Sequence, residues 1–129
     1  VQQGGIIDSV YFAIESGNYH QNITFSQHVN FKCNVKVVLA SVTGNAEDVV
    51  FDNLNVSNAP LILNGVDGLI FRNITFRSMN NAFATAVYIY NEANCNRFEE
   101  CVFESTVSAG NGILVYSNTF SNDKNNSFK

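Results

Sequence analysis

The chain of 129 residues has no tryptophan, one proline and one methionine, and only 14% of it is charged. About a quarter charged is usual for a globular domain, so this surface is not built from the ordinary Lys/Glu pattern. Lysine and arginine total seven and are scattered singly, against eleven acids. That excludes the concentrated cationic stripe a nucleic-acid partner requires. No apolar run approaches the ~20 residues that span a bilayer, so no transmembrane segment is expected. Three cysteines, Cys33, Cys95 and Cys101, fit no metal-ligand spacing. They read as small buried hydrophobes, too few to fix a redox compartment. No metal and no cofactor is expected. No signal peptide is legible and the chain opens on Val1, which suggests a mature chain or an excised piece. Nor does any stretch carry a helical apolar stripe.

What is abundant is asparagine, the commonest residue in the chain, beside 46% hydrophobic content and 11 phenylalanines. The length suits a single domain over residues 1–129. Within it one template recurs: apolar, apolar, Phe, charge, Asn, apolar, polar, apolar. It appears as Val49-Val50-Phe51-Asp52-Asn53-Leu54-Asn55-Val56 and as Leu69-Ile70-Phe71-Arg72-Asn73-Ile74-Thr75-Phe76. A third copy is Asn96-Arg97-Phe98-Glu99-Glu100-Cys101-Val102-Phe103. A second strand type appears at Leu61-Ile62-Leu63-Asn64 and Tyr88-Ile89-Tyr90-Asn91, with a further copy at Leu114 to Asn118. The segments are short, rich in Val, Ile, Phe and Tyr, and separated by Asn and Gly, which is strand-and-turn chemistry. The step from Phe71 to Phe98 equals those from Asn64 to Asn91 and from Asn91 to Asn118. Two strand types advancing in step describe a translation, not hairpins, and a solenoid of stacked parallel strands produces it.

At these residues the chain resembles the pectin-lyase-like family of right-handed parallel β-helices. VVFDNLNV and LIFRNITF look like consecutive second and third strands of that family's coil, and Asn53 and Asn73 like its turn asparagines. Gly17 with Tyr19 to Phe25 resembles the G-x-Y-x-x-N-I stretch near the start of such domains. The resemblance implies an all-β, right-handed parallel β-helix of about four to five coils. At ~4.8 Å per coil the rod is about 20–25 Å long.

On this register Val49, Phe51, Leu54 and Val56 point inward, stacked on Leu69, Phe71, Ile74 and Phe76, then on Phe98, Cys101 and Phe103. Phe51, Phe71 and Phe98 are expected to form one aromatic column, and Asn53 and Asn73 one turn column, since Asn tolerates the left-handed conformation. Asp52, Arg72 and Glu99, preceded by Lys32, are expected to form a column of alternating charge, which favours the pairing of neighbouring strands.

No paired Asp, His and Arg/Lys constellation of the family's pectin-degrading members is legible, and His20 and His28 have no obvious acid partner. The catalytic candidates are confined to an alternative reading. Asp48 and Asp67, before successive template strands, and Arg72 would line a sugar groove in a polysaccharide lyase or hydrolase; as turn residues they need no such role. A further reading has Tyr88 and Tyr90 beside Asn91 as a sugar platform on a carbohydrate- or receptor-binding spike. Sequons at Asn22, Asn55, Asn73 and Asn125 are glycosylation candidates, with Asn55 and Asn125 the better acceptors.

The main expectation is a non-catalytic, extracellular or cell-surface structural or adhesive module. Its partners are other copies through open β-helix ends, with carbohydrate as an alternative ligand. No amphipathic capping helix is legible at either terminus, and the tail from Phe120 to Lys129 stops partway round a coil. This suggests a longer solenoid, or an end completed by another chain.

Overall fold

A computed structural model describes residues 9–26, 33, 36–82, 84–107, 111–116 and 125–129. Thirteen strands lie in this part: β1 (Val10–Ile14), β2 (Gly17–His20), β3 (Ile23–Ser26), β4 (Val37–Ser41), β5 (Val49–Asp52), β6 (Leu61–Asn64), β7 (Leu69–Arg72), β8 (Thr75–Ser78), β9 (Thr85–Tyr90), β10 (Arg97–Glu99), β11 (Val102–Ser105), β12 (Asn111–Tyr116) and β13 (Ser127–Phe128). One 3-10 turn, Ala46–Asp48, precedes β5, capped by the Asn45 side chain accepting from the Glu47 amide.

The strands build three parallel sheets. Sheet A has the order β1-β4-β7-β10-β13, sheet B β11-β8-β5-β2, and sheet C β12-β9-β6-β3. Each coil places one strand in each sheet, and the next coil lies in parallel register upon it. Among the described residues the chain is therefore a parallel β-helix of four three-strand coils, with β13 adding a fifth strand to sheet A. In sheet A the coils advance from Val10 to Val37, from Val37 to Leu69, from Ile70 to Arg97 and from Arg97 to Ser127. The coils differ in length: residues bonded from one coil to the next are separated by 27 for Arg72 and Glu99, 32 for His20 and Asp52, and 30 for Asn96 and Asn126.

Alternation along each strand sends one side inward. The core collects Val37, Val49, Phe51, Leu61, Leu63, Leu69, Phe71, Ile74, Phe76, Val87, Ile89 and Phe98, all buried. Two aromatic columns run through it. In sheet B, Tyr19, Phe51, Phe76 and Phe103 stack with ring centroids 4.8, 6.1 and 6.1 Å apart and planes within 20°. In sheet A, Phe71, Phe98 and Phe128 stack at 5.0 and 5.1 Å. Rings of the two columns meet edge to face, as Phe71 does with Phe76 at 5.7 Å. Offset-stacked and edge-to-face pairs each contribute about 0.5–1.5 kcal/mol beyond area burial.

This corrects the template register. Phe51 does not share a column with Phe71 and Phe98, because β5 lies in sheet B and β7 and β10 in sheet A. Phe51 is in register with Phe76, while Phe71 is in register with Leu39 and Phe98. The step from Phe51 to Phe71 thus connects two corners of the helix, whereas the longer step from Phe71 to Phe98 is a true coil. Leu54, expected inside, is 48% exposed in the turn after β5. The second strand type slips by one: Ile62, Leu63 and Asn64 face Tyr88, Ile89 and Tyr90, so Leu63 and Ile89 go inward and the tyrosines outward.

The turn asparagines divide likewise. Asn73 has φ 53° and sits between β7 and β8; Glu100 takes the same place one coil on, with φ 51°. Asn53 belongs elsewhere. It is fully buried, its Nδ2 donates to the Asn58 carbonyl at 2.9 Å, and its Oδ1 accepts from the amides of Met79 (2.6 Å) and Asn80 (3.1 Å). Asn96, also fully buried, accepts from the Leu69 amide at 3.0 Å and donates to the Val66 carbonyl at 2.9 Å. Buried amides of this kind tie one coil's loop to the next while satisfying their own polar atoms.

Cys33 and Cys95 form a disulfide with Cα atoms 5.4 Å apart, so they are not the buried free thiols expected; Cys33 is exposed. Cys101 is a free thiol, half-buried against the core, and burial raises its pKa to about 11.

Candidate functional site

The chemistry-bearing side chains gather in columns on the outer faces of sheets A and B. Each follows an inward aromatic by one residue, so alternation turns it outward, and the parallel register stacks it on its counterpart.

In sheet A, Arg72 lies in register with Glu99. The Arg72 Nε donates to Glu99 Oε2 at 2.5 Å, and Arg97 Nη2 reaches the other oxygen at 2.6 Å. The hydrogen bond from Arg72, with the positive charges of Arg72, Arg97 and Lys129, lowers the Glu99 pKa below the ordinary carboxylate value, against the opposing effect of burial. Asp52 is absent from this column, contrary to the expected alternation, and Lys32 lies outside the described residues.

Asp52 belongs to a second column that the template concealed. In sheet B the register reads His20, Asp52, Arg77, Glu104. His20 Nδ1 lies 2.9 and 2.8 Å from the two carboxylate oxygens of Asp52, whose side chain is only 3% exposed. One of those oxygens also accepts from the Leu54 amide at 3.0 Å. A carboxylate only accepts, so His20 Nδ1 carries the proton in this contact. Arg77 Nε donates to Glu104 Oε2 at 2.6 Å. His20 thus has the acid partner the sequence did not reveal, while His28 lies outside the described residues. The signal was present: Tyr19-His20, Phe51-Asp52, Phe76-Arg77 and Phe103-Glu104 are all aromatic–ionisable dipeptides. The Asn of the longer template masked them.

The catalytic candidates do not converge. Asp48 leads into β5 of sheet B and Asp67 into β7 of sheet A, so they occupy different corners. Asp48 accepts from the Thr43 hydroxyl at 2.7 Å and the Asn45 amide group at 3.3 Å; Asp67 accepts from the Asn94 amide at 2.6 Å. Arg72 is committed to Glu99. These carboxylates behave as turn ligands.

On sheet C the outward Tyr88 and Tyr90 stack on each other at 4.7 Å and 14°. Beside them Asn91 Nδ2 donates to Asn64 Oδ1 at 2.8 Å. Among the sequons, Asn55 and Asn125 are exposed, Asn55 in a turn rather than on a strand. Asn22 and Asn73 are half-buried, and Asn22 Nδ2 donates to Thr24 Oγ1 at 3.3 Å.

The two ionic columns can hold register. A slip of one residue would bury the charges and expose the aromatics at once, and a slip between coils would oppose like charges. His20 backed by buried Asp52 is an oriented imidazole, the arrangement used to hold a tautomer. No helix among the described residues is long and apolar enough to cross a membrane. Compared with known proteins, the chain matches no family model, no curated protein and no solved structure.

Proposed function

We propose that this chain is a non-catalytic structural module of an extracellular, pectin-lyase-like β-solenoid, and that it works by continuing its stack end to end with further coils. The observation that carries this reading is the state of the sheet A column at its two limits among the described residues. Phe12, in register with Leu39 below Phe71, is 53% exposed, and Phe128 at the other limit is 42% exposed. Tyr11 beside Phe12 is 59% exposed. A column closed within the domain would bury its last rings. Half-exposed aromatics on an open parallel edge are a template for another chain. The Cys33–Cys95 disulfide supports an oxidising compartment, and the exposed sequons at Asn55 and Asn125 support a glycosylated surface. Electron microscopy of the purified protein tests the reading. Filaments with an axial repeat near the length of one rod are expected; discrete monomers at high concentration would overturn it.

A second reading, carbohydrate binding, draws on the Tyr88–Tyr90 stack beside the Asn64–Asn91 amide pair. Aromatic faces with neighbouring amides suit sugar rings. Titration with neutral and acidic oligosaccharides, followed by tyrosine fluorescence, tests it, and Tyr90→Ala should abolish any response. The lyase or hydrolase reading through Asp48, Asp67 and Arg72 has the least geometric support; Asp67→Asn should leave any polysaccharide-degrading activity unchanged.

A further inference from the structure

The corner that leads from sheet C to sheet A is built in two successive coils from different residues. The register runs from Asn64 to Ile70 in one coil and from Tyr90 to Arg97 in the next, one residue more. Counted from those anchors, Gly65 matches Asn91 and Gly68 matches Cys95. Val66 and Ala93, both fully buried, match between them, which leaves Glu92 as the extra residue. The first loop takes its left-handed positions with glycine, at φ 65° for Gly65 and 76° for Gly68. The second takes them with Asn91 at 56°, Glu92 at 63° and Cys95 at 59°. Asparagine tolerates that region, whereas Glu92 and Cys95 are strained in it. The strained loop is also the crosslinked one. Cys33 precedes β4, so its bond to Cys95 joins the coil of β4 to that of β10 and passes the glycine loop between them.

We infer that the Cys33–Cys95 disulfide is a redox latch on the loop from Asn91 to Cys95, and that its reduction lets this loop leave the left-handed conformation and open the corner while the rod stays wound. The latch works within a single copy and does not depend on the end-to-end reading. Its reductant is a dithiol. One sulfur of the dithiol attacks Sγ of Cys33, which is exposed, and Cys95 leaves as a thiolate. The second sulfur then closes on the first and releases Cys33. Two electrons pass to the protein, which gains two thiols, and the reductant departs as a cyclic disulfide. Exposed or strained disulfides are the ones that such exchange reaches.

The contacts around the loop set how far it opens. Asn91 Nδ2 donates to Asn64 Oδ1 at 2.8 Å, the Asn94 amide to Asp67 Oδ1 at 2.6 Å, and the Gly68 amide to the Asn94 carbonyl at 3.1 Å. Asn64, Asp67, Asn91 and Asn94 are only half-buried, so these are the bonds the released loop gives up. Asn96, fully buried and bonded to Leu69 and Val66, holds one flank. Ala93 is buried and its carbonyl accepts from Asn126 Nδ2 at 2.8 Å, which keeps the release local. Asn91, freed from Asn64, also moves from beside the stacked Tyr88 and Tyr90, so the redox state reshapes the outer face of sheet C.

Thiol trapping is the first test. The folded, oxidised chain is treated with dithiothreitol, quenched with iodoacetamide and weighed by mass spectrometry. Labels on Cys33 and Cys95 are expected, with the half-buried Cys101 untouched. No label means that the bond is closed to reductant, and a label on Cys101 as well means that the rod has unravelled; either result overturns the latch. Hydrogen exchange then compares the two redox states. After reduction the amides of Asn94 and Gly68 should exchange about tenfold faster, equivalent to about 1.4 kcal/mol. The Asn73 amide, bonded to the Glu99 carbonyl at another corner, should keep its rate. Glu92→Gly isolates the backbone strain, because glycine takes the left-handed region freely; in this variant the rise should be about threefold smaller. Unchanged rates at Asn94 and Gly68, an equal rise at Asn73, or a rise that Glu92→Gly leaves undiminished overturn the inference.

Discussion

The assignment of Phe71 and Phe98 to one column, and of Phe51 to another, makes a measurable claim about coupling. Replacing each ring by Leu keeps most of the volume, so each single change should cost about 1–1.5 kcal/mol and leave the double variants folded. Phe71 and Phe98 lie 5.0 Å apart with planes 12° from parallel, so the ring–ring contribution disappears with either change. Phe71→Leu and Phe98→Leu combined should therefore cost less than the sum of the singles, by about 0.5–1.5 kcal/mol. The same cycle on Phe51 and Phe76, stacked at 6.1 Å, should behave alike. Phe51 and Phe71 sit in different sheets and meet only through Phe76, so their coupling should be weaker than that of the directly stacked Phe71 and Phe98. Equilibrium denaturation in guanidinium, with a constant slope across the series, gives the four energies of each cycle. Coupling larger between Phe51 and Phe71 than between Phe71 and Phe98 would restore the single-column register and refute the sheet assignment.

Breaking the Cys33–Cys95 crosslink by Cys33→Ser frees a loop with a sequence separation of 62, for which the chain-entropy model gives about 4 kcal/mol; denaturation with and without reductant should show a loss of that order, and no loss would argue against the bond. Glu100 stands in the left-handed region at φ 51°, so Glu100→Gly should raise the melting temperature, by an amount equivalent to about 1 kcal/mol, whereas Asn73→Ala should lower it. The folded state holds the Glu99 pKa down, so the unfolded chain takes up its proton first as acid is added. That contribution to stability is present above the ordinary carboxylate pKa of about 4.3 and is lost as pH falls through the folded value; Glu99→Gln should flatten the acid limb of the stability–pH curve. Cys101, with its thiol raised to about 11, should resist iodoacetamide at mildly alkaline pH in the folded protein and react promptly in denaturant.

The misplaced column has a plain origin. Val50-Phe51-Asp52-Asn53 and Ile70-Phe71-Arg72-Asn73 obey the same local rule, with the ring inward and the charge outward, because every strand of the rod has one face on the core. Local pattern therefore identifies strands and their inward residues but not the sheet each joins. Corner length decides that. The loop from Asn53 to Pro60 keeps β5 and β6 in successive sheets, while Asn73 turns β7 into β8. The two copies of Asn-Ile-Thr-Phe, at Asn22 and Asn73, likewise lie in different sheets, C and B. Leu54 fell outside for the same reason: its strand already ends at Asp52, earlier than the template implies.

The architecture was legible in the order of residues alone. Short β-rich segments, translated by a repeated spacing and lacking helical stripes, can bury their apolar faces only by stacking in parallel, and Phe71, Phe76, Phe98 and Ile74 are inside as their positions required. The Arg72–Glu99 pairing was legible too, because a separation of 27 is one coil there. Which coils have another length emerged only on folding. Separations of 32 and 30 stand beside that of 27, so no single period aligns the columns. Hence the His20–Asp52 contact and the Cys33–Cys95 crosslink depend on distances that close only when the rod has wound.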